Sequence, residues 1–244
     1  MFKTNNKKIA LFDLDETLVQ SDCRNHALKL ICEDLSWRTG IWTKELFNKL
    51  IKIWQKEKDN KKKYDWDYHI AKLCSQLGVK KHYNYEKIIK QNLNKAKLFP
   101  DAIPILKYLK SHGYKIFIIT NGLKKYQLPI IKKLKLLKYV SKVYAPNNGY
   151  LKPDKRIFNH DFENRKISIY IDDQFYQGIY LGKKLKAKTF LICRDFHSKK
   201  TRFIREKLKS EALERKFNVQ IKNVTPDYII TDLRQIKKYI KQEK

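Results

Sequence analysis

Six short stretches of apolar residues, many of them β-branched, recur along the chain and predict buried β-strands. They lie at residues 8–14, 115–119, 140–144, 167–171, 188–193 and 227–230. Between them, apolar residues recur at helical spacing, as at Ala102, Ile105, Leu106 and Leu109. Strands that alternate with helices indicate an α/β fold with a doubly wound parallel sheet and right-handed crossovers.

Residues 20–97 interrupt this alternation, because no strand-like run occurs there and four helical stripes of apolar residues follow one another. The stripes are Ala27, Leu28, Ile31 and Leu35; Leu46, Leu50, Ile53 and Trp54; Trp66, Ile70, Leu73 and Leu77; and Tyr85, Ile88, Ile89 and Leu93. The polar run 56–63 predicts a loop in the middle of this segment. We therefore expect an inserted all-helical domain over 20–97 and an α/β core formed by residues 1–19 and 98–244. Asp101 is expected to cap the first helix after the return to the core.

The segment 194–222 separates the last two predicted strands and is longer than an ordinary connection from a helix to a strand. It carries several large apolar residues among many cations. We predict one extra, basic helix in this segment, as an insertion within the core.

The chain of 244 residues contains 55 Lys and Arg against 25 Asp and Glu, which gives a formal net charge of +30. Such a charge raises the hypothesis of a nucleic-acid partner, because cations that neutralise phosphates release counterions. However, the surplus is spread along the chain, and the cations are 46 Lys against 9 Arg, the residue preferred for bidentate phosphate contacts. We therefore favour a compositional origin of the charge and keep a nucleic-acid partner as the less favoured alternative.

Composition also narrows the class of protein. A hydrophobic content of 42% and a charged content of 33% are typical of folded globular proteins. No stretch reaches the roughly 18 consecutive apolar residues of a membrane helix, so we expect no membrane partner. The four cysteines lack the close spacing of metal ligands, which predicts free thiols in a reducing compartment, most simply the cytoplasm. The oligomeric state is left open.

Two carboxylates stand at the end of the first predicted strand, where doubly wound sheets bind their ligands. This strand, 8–14, leads into Asp13 and Asp15. One aspartate can act as a nucleophile while its neighbour transfers the proton. Taken alone, the pair is better explained as turn or helix-capping acids.

The strand 115–119 ends in Thr120, Asn121 and Gly122. At the start of the following helix, the hydroxyl and the backbone N–H groups of this stretch can hold a phosphate. A simple Asn-Gly turn is the structural alternative.

Two further sites follow along the chain. Lys152 precedes Pro153, a residue that can open a helix, and its charge can meet an anion there. In a chain with so many lysines, a surface role is the ordinary alternative. The strand 167–171 runs into Asp172 and Asp173, a carboxylate pair suited to a hard cation such as Mg²⁺, or simply the start of a loop.

In this order and on one sheet, the four sites resemble the motifs of the haloacid dehalogenase-like hydrolase superfamily. The first motif, Asp-x-Asp-x-Thr, is matched by Asp13, Asp15 and Thr17, and the other three by Thr120, by Lys152 and by Asp172 with Asp173. The resemblance covers residues 1–19 and 98–193, and it implies a Rossmann-like core. The predicted helical segment stands where subclass I of the family carries its C1 cap. The phrases at 98–101, 119–122 and 151–158 are similar to the phosphoglycolate phosphatase-like and nucleotidase-like branches.

The resemblance implies a Mg²⁺-dependent phosphatase that acts on a small phosphorylated metabolite, a sugar phosphate or a nucleoside monophosphate. It implies Asp13 as the nucleophile and Asp15 as the general acid and base. The implied phosphate-binding residues are Thr120, Asn121, Gly122 and Lys152, and the implied Mg²⁺ ligands are Asp13, Asp15 through its backbone carbonyl, Asp173 and Asp172. The acid at position 15 indicates phosphoryl transfer, because the family's dehalogenases lack it.

One departure from the family pattern concerns the metal site. Many relatives continue the fourth motif with an Asn-Asp pair, whereas this chain has Gln177 and Gly178 there. The metal ligands are therefore less defined than the nucleophile, and Asp173 is our first choice among them. A phosphomutase, a nucleic-acid end phosphatase and a non-catalytic basic binding protein are the alternative functions.

Overall fold

The core of the molecule is a six-stranded sheet in which all neighbouring strands are parallel. The computed structural model describes residues 8–146, 149–163, 165–194 and 219–240. Their strands are β1 (Ile9–Phe12), β2 (Val19–Gln20), β3 (Lys97–Leu98), β4 (Lys115–Ile119), β5 (Lys142–Tyr144), β6 (Ile169–Asp172), β7 (Lys188–Ile192) and β8 (Tyr228–Ile230). The order across the sheet is β5-β4-β1-β6-β7-β8. The chain thus builds outward from β1 in both directions, which confirms the predicted doubly wound α/β fold and places the switch point between β1 and β6.

Helices and turns cover both faces of this sheet. The α-helices of the described ranges are α1 (Asp22–Thr39), α2 (Thr43–Lys56), α3 (Trp66–Gln76), α4 (Tyr85–Gln91), α5 (Ala102–Ser111), α6 (Lys124–Lys133), α7 (Tyr180–Lys184) and α8 (Ile236–Ile240). Successive side chains of β1 point to opposite faces, as the pleat requires. Ala10 and Phe12 belong to one buried cluster together with residues of α5 and α6, whereas Leu11 belongs to a second cluster together with Leu181 of α7.

Helices α1 to α4 all lie between β2 and β3, within the segment predicted to be helical. We call these four helices and their loops the cap. β2 and β3 pair antiparallel, Val19 with Leu98 and Gln20 with Lys97, so the chain leaves and re-enters the core through a two-stranded stem. The buried stripes of α1 and α2 pack on each other, with Leu35 fully buried. The loop 57–65 between α2 and α3 matches the predicted polar loop.

Two further predictions are not confirmed: one is wrong, and the other lies mostly outside the described residues. Asp101 occupies the N-cap position of α5 but makes no side-chain capping hydrogen bond. The prediction of a cap was wrong, because Asp101 Oδ2 instead accepts hydrogen bonds from Arg194 Nη1 at 2.5 Å and from the Leu233 backbone N–H at 2.7 Å. The extra helix predicted over 194–222 falls almost entirely outside the described residues.

None of the helices in the described ranges has the length and apolar character needed to span a bilayer. The four cysteines all lie in these ranges and form no disulfide bond. Burial raises the pKa of Cys23, Cys32 and Cys74, which keeps these three thiols protonated.

Candidate active site

The carboxyl ends of β1, β4 and β6 meet near the switch point of the sheet and carry the predicted site residues. Asp13 follows β1 and donates its backbone N–H to the Ile171 carbonyl at 2.9 Å. Thr120 follows β4, and Asp172 is the last residue of β6. All three of these polar residues are buried. The parallel sheet therefore brings polar residues from three distant segments to one edge.

Lys152 reaches this edge from the loop after β5 and lies between two carboxylates. Its Nζ is 2.7 Å from Asp13 Oδ1 and 2.8 Å from Asp172 Oδ2. Burial disfavours the charged ammonium, but attraction to the two carboxylates outweighs it and holds the pKa of Lys152 well above its ordinary value. Lys152 is therefore a fixed positive charge inside the site and not a surface cation.

Asp13, Asp172 and Asp173 form an acidic cluster whose ligand oxygens all lie within 4.8 Å of one another. Burial raises the pKa of both Asp172 and Asp173, and repulsion from Asp13 adds to the rise. A divalent cation would relieve this repulsion. The donors are all hard oxygen atoms, the ligands that Mg²⁺ prefers, so the cluster fits this ion.

The two acids of the pair differ in their hydrogen bonds. Asp172 accepts one from Lys152 Nζ and one from the Gln174 backbone N–H at 2.9 Å. Asp173 Oδ2 accepts one from the Gln174 side-chain amide at 2.8 Å, and its residue is only half-buried. Both oxygens of Asp172 are thus occupied by hydrogen bonds within the protein, whereas Asp173 keeps one oxygen free of them among the described residues. This difference supports Asp173 as the stronger candidate ligand.

Asp15 lies two residues beyond Asp13, and two side chains hold it by one oxygen. Gln127 of α6 donates from Nε2 to Asp15 Oδ2 at 2.6 Å, and Arg24 of α1 places Nη1 3.2 Å from the same oxygen. Burial raises the pKa of Asp15, and the charge of Arg24 opposes the rise. A raised pKa favours the protonated carboxyl, which is the form that a general acid requires.

Neither side-chain partner of Asp15 was predicted from the sequence. Gln127 does carry a signal, because it is a polar residue on a stripe of α6 that is otherwise buried and apolar, with Ile130 and Ile131. Arg24 carries none, because its contact joins the cap to the core and no local pattern reports such a contact.

The predicted phosphate-binding stretch lies beside Lys152. The Gly122 backbone N–H donates to Thr120 Oγ1 at 3.0 Å, which leaves the hydroxyl hydrogen of Thr120 for another acceptor. Asn121 Oδ1 accepts from the Lys152 backbone N–H at 2.7 Å, so this side chain fixes the lysine loop. The role of this stretch in binding phosphate stays a prediction.

Gln177 and Gly178, the residues that depart from the family pattern, support the site in other ways. Gln177 Oε1 accepts from Asn121 Nδ2 at 2.8 Å, and its Nε2 donates to the hydroxyl of Tyr64 in the cap at 3.0 Å. Gly178 lies against Asp172, and a Cβ added at Gly178 would be 2.0 Å from Asp172 Cγ. Neither residue adds a carboxylate to the acidic cluster.

A cleft of about 540 Å³ opens between the cap loop and the core beside Lys152. Its lining includes Asn60 and Tyr64 of the cap together with Tyr176 and Tyr180 of the core. This volume is in the range of clefts that hold small molecules.

The fold and the site together define an α/β protein with an acidic centre at its strand ends and a helical cap inserted between β2 and β3. The chain belongs to the haloacid dehalogenase-like hydrolase family, whose model matches residues 10–192. No curated protein matches the sequence.

Solved structures share this fold over nearly the whole chain. A HAD phosphatase from Thermococcus onnurineus is 22% identical, with 96% of this chain and 97% of that chain covered and a TM-score of 0.71. YfnB from Bacillus subtilis, described as a HAD hydrolase and solved bound to magnesium, is 18% identical, with coverages of 96% and 99% and a TM-score of 0.66. The L-2-haloacid dehalogenase from Xanthobacter autotrophicus is 14% identical, with coverages of 97% and 99% and a TM-score of 0.63. These likenesses establish the fold, which phosphatases and dehalogenases share.

Proposed function

We propose that the protein is a Mg²⁺-dependent phosphatase that hydrolyses a small phosphomonoester in the cytoplasm through an aspartyl-phosphate on Asp13. The observation that carries the proposal is Asp15. A carboxylate two residues after the nucleophile, with a raised pKa and two side-chain partners, is suited to proton transfer to and from oxygen. A dehalogenase has no use for a general acid here, because a halide leaves without a proton.

In the first step, a carboxylate oxygen of Asp13 attacks phosphorus, and the bond from phosphorus to the leaving oxygen breaks. Asp15 gives its proton to that oxygen, so that a neutral alcohol departs. In the second step, water attacks the phosphoryl group on Asp13, Asp15 takes the proton from this water, and phosphate leaves. Asp13 and Asp15 return to their starting states.

The remaining residues serve the charge that develops on the phosphoryl oxygens. Lys152 supplies a buried positive charge, and the Thr120 hydroxyl and the Asn121 backbone N–H donate hydrogen bonds to those oxygens, while the Gly122 N–H holds Thr120 Oγ1 in place. Preformed donors of this kind act strongly because water is excluded from the site.

Asp13 and Asp173, with the backbone carbonyl of Asp15, are the residues that would hold Mg²⁺, and Asp172 stands beside them. The ion would offset the negative charge of substrate and carboxylates and so favour attack by an anionic nucleophile on an anionic substrate.

A small phosphorylated metabolite is the favoured substrate, and the cleft beside Lys152 has the volume for one, although Asp13 and Asp15 do not line that cleft. A nucleic-acid end phosphatase with the same chemistry is a second candidate, because the net charge of +30 would attract the phosphates of a nucleic acid. A phosphomutase would also use Asp13, but it would depend on a bisphosphate activator.

The proposal is tested by phosphate release from sugar phosphates, nucleoside monophosphates and a 3'-phosphorylated oligonucleotide, with and without Mg²⁺. The proposal expects Mg²⁺-dependent turnover of a small substrate that Asp13→Asn abolishes. Asp59→Asn, in the exposed cap loop, is the matched control and should keep full activity. Absence of turnover on every substrate, together with tight and salt-sensitive oligonucleotide binding, would favour the non-catalytic binding protein instead.

A further inference from the structure

Both side-chain partners of Asp15 contact the same carboxylate oxygen. Gln127 Nε2 lies 2.6 Å and Arg24 Nη1 lies 3.2 Å from Oδ2. Within the described part of the chain, no side chain hydrogen-bonds to Oδ1. The two oxygens of this one carboxyl group are therefore chemically distinct.

The fold builds a place for Gln127 beside the catalytic edge. Its side chain is 1% exposed, and a Cβ at Gly122 would lie 2.2 Å from Gln127 Nε2, so this glycine leaves the space that the amide occupies. Gln127 Oε1 is buried without a hydrogen-bond partner among the described residues, which is an unfavourable arrangement. An apolar side chain would avoid that cost, so the amide at this position is accounted for by the hydrogen bond from Nε2.

Arg24 adds a positive charge beside the same oxygen. It lies on α1 of the cap, and its other terminal nitrogen donates to Ser21 Oγ at 2.7 Å, which orients the guanidinium. Asp15 is thus held by one residue of the core and one residue of the cap.

Oδ2 accepts a hydrogen bond from the Gln127 amide and lies 3.2 Å from the Arg24 guanidinium, so it is a poor place for a proton, which would face both the amide hydrogen and the positive charge. The carboxyl proton is then carried by Oδ1. Resting on the proposed phosphatase function, we propose that Gln127 is a positioning residue that, together with Arg24, fixes Oδ1 of Asp15 as the oxygen that delivers the proton to the leaving group.

This role has a consequence for leaving groups. An alkoxide is a poor leaving group and needs the proton of Asp15 as the bond to phosphorus breaks, whereas a nitrophenolate leaves without it. Loss of Gln127 frees the carboxyl to rotate and to carry its proton on the wrong oxygen. The rate should therefore fall for alkyl phosphates and much less for aryl phosphates.

The test compares kcat/KM for glycerol phosphate and for p-nitrophenyl phosphate in wild type and in Gln127→Met, which keeps the length of the side chain and removes the amide. This ratio reports the steps up to phosphoryl transfer, in which Asp15 acts as the acid. A positioning role predicts that kcat/KM falls by about 10-fold or more for glycerol phosphate and by less than about 3-fold for p-nitrophenyl phosphate. These losses are smaller than the roughly 10²–10⁴-fold contribution of a general acid, because Asp15 itself remains. Asp15→Asn should show the same selectivity with a larger loss.

Matched variants separate positioning from folding. Gln235→Met removes a glutamine amide that bonds to Thr231, directly after the edge strand β8, and it should leave both rates unchanged. Arg24→Met is a second test at a side chain that is 23% exposed, and it should reproduce the selective loss. Arg38→Met, on the same helix and paired with Asp34, is its control.

Equal losses on both substrates in Gln127→Met and Arg24→Met, or no loss in either, would overturn the positioning role while leaving a phosphatase in place. A wild-type protein that hydrolyses neither these two substrates nor any member of the wider panel would overturn the proposed function and the inference together. The two failures are therefore distinguishable.

Discussion

The Lys152 ammonium and the Asp13 carboxylate form a buried ion pair, with 2.7 Å between Nζ and Oδ1 and with side chains that are 2% and 7% exposed. Asp172, which is fully buried, holds the same ammonium from the other side. Two buried carboxylates thus share one buried ammonium. The same ion pair therefore affects both the stability of the core and the charge of the candidate active site.

Lys152→Met is expected to lower both the stability of the protein and its phosphatase activity. Removing one partner of a buried ion pair leaves uncompensated charge, which costs about 3–5 kcal/mol in the free energy of unfolding. Loss of a preformed positive charge should also lower kcat by about 10²-fold or more. Urea unfolding and phosphate release measure the two effects. Lys142→Met removes an exposed pair with Asp161 and should cost less than about 1 kcal/mol, and an equal loss in both variants would contradict the special role of Lys152.

Asp173→Asn is expected to weaken Mg²⁺ binding while the protein stays folded. The substitution removes one charge from the acidic cluster. Bound Mg²⁺ should raise the Tm of the protein, and the Mg²⁺ concentration that gives half of this rise should be higher in the variant by about 10-fold or more. Chelation of Mg²⁺ should abolish phosphate release from the wild type. An Asp173→Asn protein with unchanged Mg²⁺ dependence would assign the metal to the other acids.

Much of the core was predictable because its strands are continuous apolar runs buried on both faces. The run 115–119 coincides with β4. The two strands of the cap stem were not predictable, because Val19–Gln20 and Lys97–Leu98 are two residues long and show no periodicity. Asp101 shows a second limit, since its sequence position allowed a cap but its partner Arg194 lies far away in the chain.

The candidate site divides in the same way. Asp13 and Asp172 were singled out because strand ends in a parallel sheet meet at one edge, and Lys152 because it precedes Pro153, a residue that can open a helix. Gln127 and Arg24 were not, because their importance depends on which oxygen of Asp15 they touch. Contacts of that kind are fixed by tertiary packing and leave little trace in local sequence.

Gly178→Ala is expected to lower both stability and activity. The added Cβ would lie 2.0 Å from Asp172 Cγ, so the carboxylate that holds Lys152 must move. Such overpacking costs about 1–3 kcal/mol, and the displaced carboxylate should reduce phosphate release. Gly78→Ala is the control: its φ of +67° makes alanine unfavourable by about 1–2 kcal/mol, but open space surrounds it, so activity should be kept. Full activity in Gly178→Ala would show that Asp172 has room to move.

The pH dependence of stability should contain a contribution from His69 of the cap. This side chain is fully buried, its Nε2 bonds to the Lys63 carbonyl, and burial lowers its pKa. As pH falls below about 6.5, the unfolded chain takes up a proton that the folded chain resists, so the free energy of unfolding decreases. His69→Gln should lose this part of the slope between pH 7.5 and 5 in urea unfolding. An unchanged slope would mean that the folded imidazole accepts the proton as readily as the unfolded one.

Tyr126→Phe tests the contact between cap and core next to Gln127. The Tyr126 hydroxyl donates to Asp65 Oδ1 at 2.6 Å and accepts from the Asp67 backbone N–H at 3.1 Å, so its loss leaves this N–H without its acceptor and removes one of the two side-chain donors to Asp65 Oδ1 among the described residues. Such a loss costs about 1–3 kcal/mol. Tyr108→Phe is the matched control, because the buried Tyr108 hydroxyl has no hydrogen-bond partner among the described residues, and its removal should be neutral or stabilising. If urea unfolding shows a loss of stability in Tyr126→Phe and none in Tyr108→Phe, the hydrogen bonds of the Tyr126 hydroxyl are the source of the difference. Equal changes in the free energy of unfolding would contradict this assignment.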